Sequence, residues 1–237
     1  MTSLDHPLWN NGGTVKQSQP SPVIFNAYWP IFRKHSHLLI AWGYELVEPE
    51  ILLSGEDDEE SITGLLYEAI RQILRANRST WCSQYAIHNE APMPGGKRKG
   101  KDRRKTDLFV EFVTQKGRPE YVFEAKPQNY AKKHQQTSYY VGEKGMERFL
   151  AGEYADYTAG YPEVGMIAYV LSDSVEIWRD RLKMAIDKKQ RRLHLVSPQI
   201  DVTVVAELPL GWCSQHNRST SNTILSIYHV LLDCTSI

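Results

Sequence analysis

Two neighbouring segments constrain this chain more than any others. Lys105-Thr106-Asp107-Leu108-Phe109-Val110-Glu111-Phe112-Val113 and Glu120-Tyr121-Val122-Phe123-Glu124-Ala125-Lys126-Pro127 are short, apolar-rich and carry β-branched and aromatic residues, so each reads as a strand. Between them Thr114-Gln115-Lys116-Gly117-Arg118-Pro119 supplies turn chemistry, with Gly117 able to take positive φ. The pair predicts a β-hairpin. With a two-residue loop at Lys116 and Gly117, Asp107 sits opposite Lys126 and Phe109 opposite Glu124. Side chains alternate across a strand, so Asp107, Glu124 and Lys126 project from one face. A different loop length or a bulge would change that register.

Two carboxylates and a lysine on one face of an apolar hairpin need a compensating partner, because half-buried unpaired charge is costly. A hard divalent cation fits: Mg²⁺ takes oxygen ligands and is commonly held by one or two carboxylates together with substrate phosphate oxygens. The lysine would orient a water and offset charge in a phosphoryl transition state. The plainer alternative is a cross-strand Asp–Lys pair with one exposed glutamate.

The surrounding chain supports a single large α/β domain with additions. Its 237 residues are 41% hydrophobic, enough for a sizeable core, and the formal net charge is +0, so attraction to a polyanion must be local. Cys82, Cys213 and Cys234 are widely spaced, form no C-x-x-C pattern, and are odd in number, which points to reduced thiols and a cytoplasmic setting. Met1-Thr2-Ser3-Leu4-Asp5-His6 lacks a charged and apolar leader, and no apolar run approaches membrane-spanning length, so neither a signal peptide nor a membrane partner is expected.

Residues 1 to about 22 are polar and read as an arm, and 23–50 are core-like, a helix or two short elements. His35 and His37 in that stretch are read as structural. Glu56-Asp57-Asp58-Glu59-Glu60 opens a helix whose Ile62, Leu65, Leu66, Ala69, Ile70 and Ile73 follow helical spacing; acidic residues suit its N-terminus. At helical phase Glu59 lies near the apolar face and Glu60 well away from it. Trp81 to His88 reads as a first strand. Lys97-Arg98-Lys99-Gly100-Lys101-Asp102-Arg103-Arg104-Lys105 follows, seven of its nine residues basic, leading straight into the Asp107 strand. Lys97, Arg98, Lys99, Lys101, Arg103 and Arg104 are therefore candidates for sequence-independent phosphate contact.

A helix is predicted from about Tyr130 to Leu150, and a buried strand at Gly165–Leu171. Ser172 to Arg192 reads as another helix; its Asp187-Lys188-Lys189 also matches D-x-K but has no acidic strand before it. Two short strands are expected around Pro198. Trp212 to Arg218 reads as a polar tail, with His216 and Arg218 available to phosphate, and Ile224–Leu232 as a last strand.

The ordered set of Asp107, then Glu124-x-Lys126 at the end of the next strand, resembles the PD-(D/E)XK nuclease superfamily of restriction endonucleases and RecB-like exonucleases. Thr106 stands where the proline of the name would be. The resemblance covers roughly 58–172 and implies an α/β fold with a restriction-endonuclease-like core (αβββαβ, a mixed central sheet flanked by helices). It divides the chain into additions at 1–57, a core at 58–172, and a C-terminal helix and strands at 173–237. It also implies that Glu59, with Glu60 and Glu68 behind it, completes a Mg²⁺ or Mn²⁺ site with Asp107, Glu124 and the Ala125 carbonyl. Lys126 would be catalytic. The overlapping spacings Gln135/Tyr139 and Gln136/Tyr140 resemble the RecB-like Q-x-x-x-Y motif, one pair facing nucleic acid. The implied activity is metal-dependent phosphodiester hydrolysis, DNA favoured over RNA, as in bacterial restriction or anti-phage defence. No G-x-x-x-x-G-K-[ST] loop is present, so any ATP-driven step falls to a partner ATPase, and a homodimer is compatible. The rival is a non-catalytic binding subunit that keeps the fold.

Overall fold

The computed structural model of the chain describes residues 22–90, 105–114, 120–151, 163–218 and 223–235, with side chains from Tyr28 onward. The basic run Lys97, Arg98, Lys99, Lys101, Arg103 and Arg104 lies outside the described residues, as does most of the hairpin turn. Two helices lead. α1 (Pro22–Ser54) is a single helix of 33 residues carrying Pro30 and Pro49, where two short elements were an alternative. α2 (Glu59–Ala76) follows.

α2 forms where its sequence predicts. The Asp58 side chain caps it by accepting from Ser61 N at 3.0 Å, Glu59 and Glu60 occupy the positive end of its dipole, and Asn77 ends it in the left-handed region at φ 52°. Ile62, Leu66, Ala69, Ile70 and Ile73 are buried against α1 and the sheet.

Among the described residues the sheet has seven strands: β1 (Tyr85–Asn89), β2 (Leu108–Phe112), β3 (Glu120–Gln128), β4 (Glu163–Val170), β5 (Ile200–Asp201), β6 (Trp212–Asn217) and β7 (Ile224–Asp233). Their order is β1-β2-β3-β4-β7-β6-β5. β1, β2 and β3 are antiparallel; β3 runs parallel to β4 and β4 to β7; β6 and β5 return antiparallel. The molecule is thus α/β with a mixed open sheet. Period-two alternation divides the strands between two cores. Leu108, Val110, Tyr121, Phe123, Ile167 and Tyr169 face α1 and α2. Phe109, Val122, Met166 and Ala168 face the other layer, made by α3 (Thr137–Tyr140), α4 (Met146–Leu150) and α5 (Val175–Lys188).

Several expectations are corrected. The first strand begins at Tyr85, because Cys82–Gln84 form a 3₁₀ turn. The helix expected over 130–150 is broken into a 3₁₀ turn at Lys133–Gln135, α3 and α4. Gly142 and Gly145 mark the break: a Cβ there would press on the carbonyls of Ser138 and Tyr140. Around Pro198 only Ile200–Asp201 pair as a strand, with an isolated bridge at Leu195.

The supposed polar tail is strand β6. Its buried polar groups are satisfied by a chain of hydrogen bonds: His216 Nδ1 to Leu193 O at 2.8 Å, His216 Nε2 to Ser214 Oγ at 2.7 Å, Ser214 Oγ to His229 Nε2 at 2.8 Å, and His229 Nδ1 to Tyr140 OH at 2.9 Å. Because a carbonyl only accepts, neutral His216 must donate from Nδ1. Every later bond then has one direction, ending with Tyr140 donating to His229. Burial holds both imidazoles neutral, His216 down to about 4 and His229 well below its ordinary value. His37 is likewise buried, bonded to Tyr121 OH at 3.2 Å, with a pKa pushed down to about 3.

Candidate functional site

The register of the central hairpin differs from the two-residue-loop reading. Leu108 faces Phe123 and Phe109 faces Val122, so the ladder continued by one residue sets Asp107 beside Glu124, not Lys126. The shift is two residues. An apolar pattern specifies which face a residue takes but not which even register it adopts, so Asp107, Glu124 and Lys126 remain on one face.

That face, at the C-terminal end of β3, holds a tight ionic cluster. Asp107 stands just before β2, and its Oδ2 accepts from Ala125 N at 2.6 Å. Lys126 Nζ lies 3.1 Å from Glu124 Oε1, 3.5 Å from Asp107 Oδ2 and 2.5 Å from Glu59 Oε1, and donates to Ala125 O at 2.5 Å. Glu59 reaches it from the first turn of α2. Of the three acids considered on that helix, Glu60 is exposed, and Glu68 is exposed and pairs with Arg71 at 2.8 Å. Arg148 of α4, which no sequence pattern singles out, closes the cluster by donating to Glu124 Oε1 at 2.5 Å.

Glu124 is completely buried and Lys126 nearly so, at 5% exposure. Burial, reinforced by the Asp107 charge, pushes the Glu124 carboxyl up to about 7; Lys126 and Arg148 offset this only in part. Burial also raises the Glu59 carboxyl, against the pull of Lys126. For Lys126, burial disfavours its charge, but Glu124, Asp107 and Glu59 together outweigh it and hold the ammonium protonated.

Among the described residues no three His, Cys, Asp or Glu side chains stand in a metal-holding arrangement, and the Lys126 ammonium sits between the carboxylates. The donor set nevertheless fits a hard divalent ion. The acceptors are carboxylates of Asp107, Glu124 and Glu59 with the Ala125 carbonyl, all oxygen. Three carboxylates face two cations, and burial, reinforced by the Asp107 charge, raises the Glu124 carboxyl to about 7.

The other predicted residues go elsewhere. Gln135 is buried and donates to Asp57 O at 2.9 Å, holding the entry to α2; Gln136 donates to Tyr130 O at 3.3 Å. Lys144 lies over the Tyr139 ring at 5.4 Å, and Tyr140 is buried on His229. Since Gln135 and Gln136 precede α3, neither Gln/Tyr spacing shares a helix face. His216 and Arg218 are buried, which removes them from a phosphate-binding surface. Asp187 is exposed on α5, where Gln199 donates to it at 2.8 Å. No helix of the described residues is long and apolar enough to cross a membrane. Comparison with protein-family models, with curated proteins and with solved structures returned no match.

Proposed function

We propose that this chain is a metal-dependent nuclease of the PD-(D/E)XK type that hydrolyses phosphodiester bonds, DNA favoured. The observation that carries the reading is the convergence of Glu59, Asp107 and Glu124 on the Lys126 ammonium at the end of β3. Supporting it, α2, β1, β2, β3, the short helices α3 and α4, and β4 follow one another in the order of a restriction-endonuclease-like αβββαβ core.

Asp107, Glu124, Glu59 and the Ala125 carbonyl would hold Mg²⁺ or Mn²⁺. Such an ion, when bound, polarises a phosphoryl oxygen and acidifies a water. The chain's own groups do the rest. Ala125 N–H fixes the Asp107 carboxylate, so its orientation is set before substrate arrives. Lys126, held charged by its neighbours, donates toward a water or a phosphate oxygen and offsets developing negative charge. Arg148 donates to the same Glu124 oxygen that Lys126 faces and anchors that carboxyl.

The test is cleavage of linear, circular and single-stranded substrates with and without Mg²⁺. Asp107→Ala, Glu124→Ala and Lys126→Ala should each abolish it. Calorimetric titration with Mn²⁺ should show weaker binding for the two carboxylate variants, whereas Lys126→Ala keeps its affinity, since a cation is no ligand. Wild-type cutting by all three variants would show the site misplaced.

The Arg148–Glu124 and Lys126–Glu59 pairs also favour a second reading, in which the cluster is a closed ionic network in a non-catalytic nucleic-acid-binding subunit. On that reading the folded protein titrates with Mn²⁺ without heat, and no substrate is cut.

A further inference from the structure

We propose that Tyr130 and Arg181 form a stacking platform for an unpaired nucleobase at the rim of this site. The choice of ligand class rests on the nuclease reading; the platform itself rests on four observations.

The first is exposure. Among the described residues Tyr130 is the one aromatic ring among the exposed large apolar side chains, at 68%. The second is rigidity. Its N–H donates to Ser172 Oγ at 3.1 Å and its carbonyl accepts from Gln136 at 3.3 Å, while Asn129 Oδ1 accepts from Ala131 N at 2.9 Å. The backbone that carries the ring is thus tied on both sides.

The third is lamination. The Arg181 guanidinium lies 5.1 Å from the Tyr130 ring centroid and 5.0 Å from that of Trp178, which is buried and donates from Nε1 to the Ser172 carbonyl. Asp173 takes the Arg181 edge at 2.5 Å, leaving the guanidinium faces to the rings. The Arg181 guanidinium therefore lies over both the anchored, buried Trp178 ring and the solvent-exposed Tyr130 ring. Stacking on an Arg-backed ring tolerates any base, because every base has a π-face.

The fourth is place. Gln128 pairs with Val170 at the C-terminal ends of the parallel strands β3 and β4, and Tyr130 and Ser172 follow directly. In open α/β sheets this end is where ligands bind. Tyr130 stands four positions beyond Lys126, so their Cα atoms lie at most about 14 Å apart. Lys133 and His134, both exposed, lie three and four residues further on. A base within a duplex is stacked on its neighbours and cannot offer its face to the ring without unstacking. The platform thus selects single strands or frayed ends.

The test uses the full chain in EDTA, so that cleavage is excluded. Fluorescence anisotropy compares a short oligodeoxyadenylate, an abasic strand of the same length and charge, and a blunt duplex. Tyr130→Ala should weaken binding of the base-bearing strand about tenfold, equal to ~1.4 kcal/mol. Tyr130→Phe, which keeps the ring, should bind as wild type. On the abasic strand the alanine variant and wild type should agree within about twofold. Equal binding of base-bearing and abasic strands by wild type, an unchanged affinity of Tyr130→Ala, or an equal loss on both strands would each overturn the platform. A nuclease reading that fails leaves a different mark: no Mg²⁺-dependent cleavage, with the difference between base-bearing and abasic strands intact.

Discussion

Replacing Glu124 by Gln tests the electrostatics of the cluster without touching its shape. The folded carboxyl has its pKa pushed up to about 7 from an ordinary 4.5, first by complete burial and then by Asp107. The native state therefore holds this proton more tightly than the unfolded chain does. The stability Glu124 contributes is fully present below about pH 4.5 and is lost as pH rises through about 7. A gap of about 2.5 units at ~1.36 kcal/mol each is about 3 kcal/mol. Gln cannot ionise, so the variant escapes the loss. The stability of Glu124→Gln minus that of wild type should grow by about 3 kcal/mol between about pH 4.5 and about pH 7, then level off. The difference is the quantity to follow, because other groups titrate in the same range. Burial lowers the pKa of His37, His216 and His229, which gives stability that rises with pH, and burial raises the Glu59 and Glu163 carboxyls, which act in the sense of Glu124. The histidine and Glu163 contributions are common to both proteins, whereas Glu59 shares Lys126 with Glu124, so its response is part of what the difference reads. Urea denaturation in EDTA across this range measures it. A flat difference, or one that shrinks as pH rises, would refute the reasoning, because Lys126 and Arg148 would then outweigh burial and favour the carboxylate.

Gly165 of β4 lies beneath the Phe123 ring, its partner in register, and a Cβ would collide with that ring, so Gly165→Ala should cost about 1–3 kcal/mol in urea denaturation. Gly64 of α2 has open space where its Cβ would go, so the same change there should stabilise by about 0.5–1 kcal/mol. Neutralising Lys97, Arg98, Lys99 and Lys101 together should weaken nucleic-acid binding equally across sequences and flatten the slope of log affinity against log salt by about 3. An unchanged slope across a salt series in Ca²⁺ would show that the phosphate backbone is gripped elsewhere.

What could be read from the residues depended on how local its cause is. The Asp58 cap and the apolar spacing of α2 are local, and α2 forms as expected, with Glu59 on the side that reaches Lys126. The hairpin's face was legible from alternation, but its register was not, since turn chemistry alone suggested a loop that strand packing does not adopt. The break between α3 and α4 had a visible signal in Gly142 and Gly145, overridden by the apparent Q-x-x-x-Y spacing. β6 was missed for a non-local reason. Ser214 and His216 read as surface residues until His229 and Tyr140, distant in sequence, supply their partners. Arg148 likewise gains meaning only when α4 packs over Glu124.

Among the described residues β7 is the last strand in chain order but an interior strand of the sheet, between β4 and β6. During synthesis β4 therefore emerges with β3 on one side and nothing yet to pair on the other. Making residues 171–223 takes on the order of 3–10 s at roughly 5–20 residues/s. For that interval the apolar run Val164–Val170 presents a line of unpaired peptide groups, the kind of border that recruits other nascent chains. The consequence is that β4 carries an aggregation hazard during synthesis that the finished sheet no longer shows. Arrested nascent chains that stop before residue 224 should be open to protease at β4, and those carrying all of β7 beyond the exit tunnel should not.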